Sequence, residues 1–323
     1  MKLSVLDQSP VPEGSTGAEA LRNTIDLAEL ADELGYERYW VAEHHGTPML
    51  AGPAPEVLIG PIAAATQRIR VGSGGVMLPH YSPLKVAESF SILSGLFGDR
   101  IDLGLGRAPG TDPETMFALQ RDRRQAVAHD DFPEQLAELI AYLDDEFPRG
   151  HRWARLGASL PGPHRPELWL LGSSPQSAIW AAEFGLPYAF ADFINPRNGE
   201  LAQAYRAAAD TPRVAVAVSA ICAESDEEAQ ELALSMRMAW ALMRSGRLAA
   251  VPTVERARRF LAENGSGASP GRRAVVGSPA TVRAGLEEVA AEYGADEVIV
   301  VTITHDHGAR RRSYELIAAA LAG

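Results

Sequence analysis

The run Trp40-Val41-Ala42-Glu43-His44-His45 takes a short apolar stretch straight into one carboxylate and two imidazoles. That set suits proton transfer, metal binding or contact with a cofactor. Strands buried on both faces read as continuous apolar runs, so the polar triplet marks the C-terminal end of a buried strand. In α/β barrels that end is where active sites are built. Other polar groups follow strand-like runs in the same way. They are Asp7, Gln8 and Ser9; His80 and Tyr81; Arg107; Gly172, Ser173 and Ser174; Asp192; and His305, Asp306 and His307.

Gly172-Ser173-Ser174-Pro175 closes a strand-like run and opens a helix-like one. Serine suits the N-cap and proline the first turn. Exposed N–H groups and the helix dipole there favour an anion such as a phosphate. Simple capping without a ligand reads equally well. Arg107 is a cation at another strand end, and either a surface ion pair or a bidentate grip on the same phosphate accounts for it. Gly72-Ser73-Gly74-Gly75 is bare for a strand interior, which signals a packed barrel corner or a flat ring lying on the backbone. Gly104-Leu105-Gly106-Arg107-Ala108-Pro109 nearly matches a dinucleotide fingerprint, but proline stands at the third glycine and the unit is the fourth, so no Rossmann site is expected.

The elements that must position these residues follow from periodicity. Strands are expected over residues 3–6, 39–42, 69–77, 101–105, 168–171, 188–191, 214–222 and 298–303. Helices are expected over 18–34, 55–66, 83–96, 132–143, 175–183, 197–209, 226–245 and 280–293, with a closing helix over 313–321. Eight alternating β and α units predict an α/β fold, a TIM-type (β/α)₈ barrel, as one domain over residues 1–323. The first βα turn lacks the glycine fingerprint of an open doubly wound sheet. Two long connections stand out: 148–166, expected as a surface loop, and 223–275, an insertion after the seventh strand.

Composition narrows the function. A chain of 323 residues that is 46% hydrophobic and 22% charged holds a large core. Its net charge of -12 argues against general affinity for nucleic acid or anionic membrane. The single cysteine, Cys222, lies in an apolar run and reads as a buried small hydrophobe. The N-terminus is too short in its apolar part for a signal peptide, and no stretch reaches the length of a membrane span, so a cytoplasmic location is expected. Helices 55–66 and 83–96 are apolar on more than one face, which predicts a homodimer.

Together these residues resemble the bacterial-luciferase-like family of flavin-dependent monooxygenases. The resemblance spans nearly the whole chain and rests on 40–45, 71–79, 81–88, 99–107 and the Gly172-Ser173-Ser174 turn. It implies FMN at the C-terminal mouth, with its phosphate near Arg107 and Ser173 and its ring against Gly74 and Gly75, where the family has a non-prolyl cis peptide. It implies a catalytic histidine at His44; from their position beside it, Glu43 and His45 are then candidates to orient it or complete the pocket. It further implies an oxidoreductase that uses reduced FMN and O₂ on a small organic substrate. With no NAD fingerprint, a separate reductase is expected to supply the flavin. The reactive cysteine of luciferases is Gly106 here, so light emission is not implied. A related branch uses F420, whose acidic tail calls for more basic residues at the mouth; the compact Arg107/serine site favours FMN. The alternative from another class is a barrel metallohydrolase built on His44, His45, His305 and Asp192.

Overall fold

The computed structural model describes residues 1–107, 112–119, 131–264 and 272–322. Pro109 of the near-fingerprint and the Gly/Ser-rich run at 265–271 lie outside them. The chain runs β1 (Lys2–Asp7), α1 (Gly17–Glu33), β2 (Arg38–Val41), α2 (Pro55–Ala65), β3 (Arg70–Met77), α3 (Pro83–Phe97) and β4 (Ile101–Gly106). It continues with α4 (Pro113–Leu119), α5 (Phe132–Asp144), α6 (Ala154–Gly157), β5 (Glu167–Gly172), α7 (Pro175–Glu183), β6 (Tyr188–Ala191), α8 (Gly199–Ala208) and β7 (Val214–Cys222). The last elements are α9 (Asp226–Arg244), α10 (Val254–Asn264), β8 (Ala274–Gly277), α11 (Pro279–Tyr293), β9 (Glu297–Val301) and α12 (His307–Leu321).

Strands β1 to β7 and β9 are all parallel and close into an eight-stranded barrel, because β6 pairs with β7, β7 with β9 and β9 with β1. The expected (β/α)₈ barrel with an insertion after the seventh strand is therefore what the chain forms. One strand was not expected. Strand β8, at the end of the insertion, pairs with Ser219–Cys222, the distal half of β7 that extends past its pairing with β6. Among the described residues no helix is long and apolar enough to cross a membrane.

Strand alternation sorts the apolar side chains into two cores. Val5, Tyr39, Val41, Val216, Val218, Val298 and Val300 face outward against the helices. Leu6, Trp40, Ala42, Trp169, Ala189, Ala215, Ala217, Ile299 and Val301 fill the barrel interior. The two large residues, Trp40 and Trp169, meet edge to face with ring centroids 5.4 Å apart. The inward-facing Ala189 of β6 and Ala215 and Ala217 of β7 are small and leave room on that side of the barrel.

The glycines of β3 are dictated by close packing. A Cβ on Gly74 would lie 2.6 Å from Leu6 Cδ1 and 2.9 Å from Trp40 Cβ. One on Gly75 would lie 2.7 Å from the Gly104 carbonyl oxygen on β4. The β3–β4 register shifts between Gly74 and Val76, and the Gly74–Gly75 peptide is cis, as the resemblance implied.

Candidate active site

The triplet after β2 separates into two environments. The Glu43 side chain is fully buried. Its carboxylate accepts the backbone N–H of Met77 at 2.9 Å and the Tyr81 hydroxyl at 3.0 Å, and it contacts His45 Nε2 at 2.7 Å. Glu43 thus ties the loop after β2 to the end of β3. His45 in turn meets His80 edge-on, with ring centroids 5.9 Å apart. His44 points elsewhere. Its backbone N–H donates to the Gly52 carbonyl at 3.0 Å, while its ring Nδ1 is buried with no hydrogen-bond partner. Burial first, then the neighbouring His45, pushes its imidazole from the ordinary 6.5 down to about 4. It is therefore neutral at pH 7.

Two cavities adjoin at the C-terminal mouth of the barrel. The first, of about 390 Å³, brings together Gly74, Gly75, Arg107, Gly172, Ser173 and Ser174. Trp40, Leu6 and Ile299 form its floor, and Ala189, Ala191 and Ala217 line the side that small residues leave open. Helix α7 begins at this cavity. Ser174 is its N-cap, its Oγ accepting the Ser177 N–H at 3.4 Å, and Pro175 follows. The Arg107 guanidinium sits over the Trp180 ring of the same helix, 5.5 Å from its centroid. A cation and a helix N-terminus therefore face one space, whose other walls are apolar or bare backbone.

The second cavity, of about 370 Å³, is lined by His44 and His45, by Gln8, Met49 and Leu50, and by Trp240, Met243 and Arg272 from the insertion. Phe193 and Ile194 line both cavities and form the partition between them.

With this geometry in view, the profile of the luciferase-like monooxygenase family matches residues 1–297. The chain belongs to that family. It is an enzyme, a flavin-dependent monooxygenase or oxidoreductase. It is 41% identical to a luciferase-like monooxygenase of Escherichia coli (strain K12), covering 97% of this chain and 95% of the relative. It is 38% identical to the N-acetyl-S-alkylcysteine monooxygenase of Bacillus subtilis (strain 168), covering 99% and 98%. Among solved structures, that of apo-MsnO8 superposes with a TM-score of 0.90 at 44% identity, covering 99% of this chain and 98% of that one.

In this luciferase-like monooxygenase several polar residues expected at the mouth serve the frame instead. Asp7 is fully buried and turned outward, where it pairs with Arg310 of α12 at 2.6 Å and accepts from the Tyr39 hydroxyl and the Ser9 N–H. Burial alone would raise its pKa; Arg310 and these donors hold it below the usual carboxylate value. Asp192 is equally buried, gripped at both oxygens by Arg273 and bonded by Tyr293. His305 contacts the Glu13 carbonyl at 3.1 Å. His307 begins α12 and pairs with Asp26 at 2.6 Å.

These placements overturn the metallohydrolase alternative. Asp192 and His305 are committed to separate partners. Among the described residues no group of three or more His, Cys, Asp or Glu side chains is placed to hold a metal. Cys222 is buried, and burial pushes its thiol up to about 11, against a nucleophilic role.

Sequence reasoning missed Phe193, Ile194, Trp240 and Arg272. The first two follow the short strand β6 with no polar signal. The last two sit in the insertion, and only its folding back beside β7 brings them to the mouth.

Proposed function

We propose that the first cavity binds FMN and that the chain oxygenates a small organic substrate with O₂ and reduced flavin from a separate reductase. The observation that carries this reading is the convergence of Arg107 and the N-terminus of α7 on a cavity floored by Trp40 and the bare Gly74–Gly75 backbone. The residues fit the group. Arg107, Ser173, Ser174 and the first N–H groups of α7 would hold the phosphate, and Gly172 lets the chain turn beside it. The flat ring would lie against Gly74 and Gly75, with Ala189, Ala191 and Ala217 leaving it space. When bound and reduced, FMN supplies the electrons that activate O₂. The protein's share is to hold the ring, exclude water with the apolar walls and manage protons at His44, which lines the adjoining cavity. Glu43 and His45 shape that wall. The substrate enters the second cavity. The relative from B. subtilis, named for N-acetyl-S-alkylcysteines, is consistent with a small organic molecule of this size.

Flavin titration followed by fluorescence tests the reading. FMN is expected to bind in preference to riboflavin and F420. Arg107→Ala should weaken FMN by roughly 1.5–3 kcal/mol, the range for a charge-assisted hydrogen bond, and leave riboflavin nearly unchanged. Equal weakening of both ligands removes Arg107 from the phosphate site, and preference for F420 overturns the cofactor.

A further inference from the structure

Arg272 and Arg273 are adjacent, yet their surroundings differ. Arg273 holds Asp192 with two nitrogens and Glu292 with a third. Arg272 is half-buried, and among the described residues no carboxylate lies within ion-pair distance of it. Its Nη1 donates to the Phe193 carbonyl at 3.3 Å, and its guanidinium lies over the Trp240 ring, 5.5 Å from the centroid. A guanidinium carries five N–H donors in a planar fork. Most of that capacity is unused by the described protein groups, and Arg272 lines a cavity instead of facing a counter-charge. Burial, and then the nearby Arg244, depress its pKa.

Arg272 lines the second cavity. The rest of the described lining is largely apolar, with Met49, Leu50, Met243 and Ile303 among it. Asp112 is the one carboxylate among the described lining residues, and its oxygens accept the Glu114 and Thr115 N–H groups and the Thr115 hydroxyl at the start of α4. The aromatic stack and the Phe193 carbonyl fix the plane of the Arg272 fork, so it is preorganised for a planar anion.

We infer that Arg272 is the specificity determinant of the second cavity and that the substrates of this enzyme are organic carboxylic acids with an apolar body. The carboxylate pairs with Arg272 while the apolar part packs against Met49, Leu50 and Ile303. A monoanion fits better than a phosphate, because one guanidinium among apolar walls would leave a dianion half neutralised. Phe193 carries both the carbonyl that holds Arg272 and a place in the partition. This directs the far end of the substrate toward the first cavity, a point that rests on the proposed function.

Matched acid and amide pairs test this by calorimetry: phenylacetate and phenylacetamide, octanoate and octanamide, (benzylthio)acetate and (benzylthio)acetamide, each on flavin-free and on FMN-loaded protein. At least one acid is expected to bind about tenfold or more tightly than its amide, as a charge-assisted pair predicts. Arg272→Met should reduce the acid to the level of the amide, and Arg272→Lys should keep part of the preference. FMN affinity of both variants should stay within about threefold of wild type. If no acid outbinds its amide, or if Arg272→Met keeps the preference, the inference fails. A loss of FMN affinity in Arg272→Met would assign Arg272 to the cofactor and also overturn it. The wild-type comparison needs no variant, so it decides even if Arg272→Met does not fold. If wild type binds no FMN, the proposed function fails, while the comparison on flavin-free protein still decides the role of Arg272.

Discussion

Glu43 and His44 are neighbours that the fold uses in opposite ways. Glu43 spends its carboxylate on Met77, Tyr81 and His45 and so fixes the wall of the site. His44 lines the second cavity, and its buried ring Nδ1 has no hydrogen-bond partner. An imidazole in water titrates near neutrality. The structure places the His44 pKa at about 4 because burial disfavours the cation. His44 is therefore a neutral imidazole at pH 7, and in the proposed reaction it would act as a base. His44→Ala should retain FMN affinity within a few fold but lower product formation by roughly 10²–10⁴, the usual worth of acid–base help. Oxygen consumption should then appear as hydrogen peroxide. Unchanged rate and coupling would remove His44 from the mechanism. The same shift makes a stability prediction. With the folded value below the unfolded one, the unfolded chain binds more protons between pH 6.5 and 4. Stability from the neutral imidazole is complete above pH 6.5 and is lost as pH falls through that window, on the order of 3 kcal/mol. Urea midpoints at neutral pH and near pH 5 should show wild type losing more than His44→Gln; equal losses would refute it.

Helices α2 and α3 each carry more apolar surface than the barrel covers. Ile59, Ile62 and Ala63 of α2 and Val86, Phe90 and Leu93 of α3 are buried against the barrel and its helices. On the other side Val57 is 69% exposed, Ile92 51% and Leu96 70%. The chain's own terminal helices do not cover them. A second copy, related by a two-fold axis, is the simplest cover for such a face. Light scattering should find a dimer at micromolar concentration, and Leu96→Asp should shift it toward monomer; a wild-type monomer rules the dimer out. The same elements show what is legible in a sequence. All eight expected strands agree with the fold to within two residues at either end, because buried parallel strands are continuous apolar runs; the largest difference is the last, expected to reach 303, which ends at Val301. Helix α7 begins and ends as expected, with Ser174 and Pro175 marking its start. Strand β8 escaped notice because Ala274-Val275-Val276-Gly277 is too short to show a period and belongs to a sheet only beside β7. Helix α12 begins six residues earlier than expected, because His307-Gly308-Ala309-Arg310-Arg311-Arg312 reads as polar loop. There Arg310 faces inward to a carboxylate 303 positions away, and no local pattern announces such a pair.

The whole barrel is polarised between its two ends. At the strand C-termini lie the cavities, walled by glycine, alanine and neutral imidazole. At the strand N-termini lies a closed ring of charge. Arg38 of β2 pairs with Asp102 of β4 and Glu297 of β9, each at 2.7 Å, Arg70 of β3 pairs with Asp102 and Glu167 of β5, and Arg213 before β7 pairs with Glu167. Ser4 of β1 joins through Glu297, and the Trp40 indole N–H donates to Asp102 at 2.9 Å. The Arg38 guanidinium also stacks over Trp169, 4.8 Å from its ring centroid. Desolvation favours loss of the Arg38 proton, yet Asp102 and Glu297 outweigh it and hold the pKa above its ordinary value. The ring thus joins six of the eight barrel strands from below, leaving the other end free to vary its loops and chemistry. Arg38→Met keeps the volume but strands Glu297 and weakens the hold on Asp102. Removing one partner of a buried pair costs about 3–5 kcal/mol, a large part of the stability of an ordinary domain. The denaturant midpoint should fall accordingly, and adding Glu297→Gln should recover part of the loss, because the stranded charge rather than the missing contact carries most of the penalty. FMN affinity of folded Arg38→Met should change by no more than a few fold, since the ring and the cavities occupy opposite ends of the same strands. An unchanged midpoint would show that the charged ring closes the barrel without stabilising it.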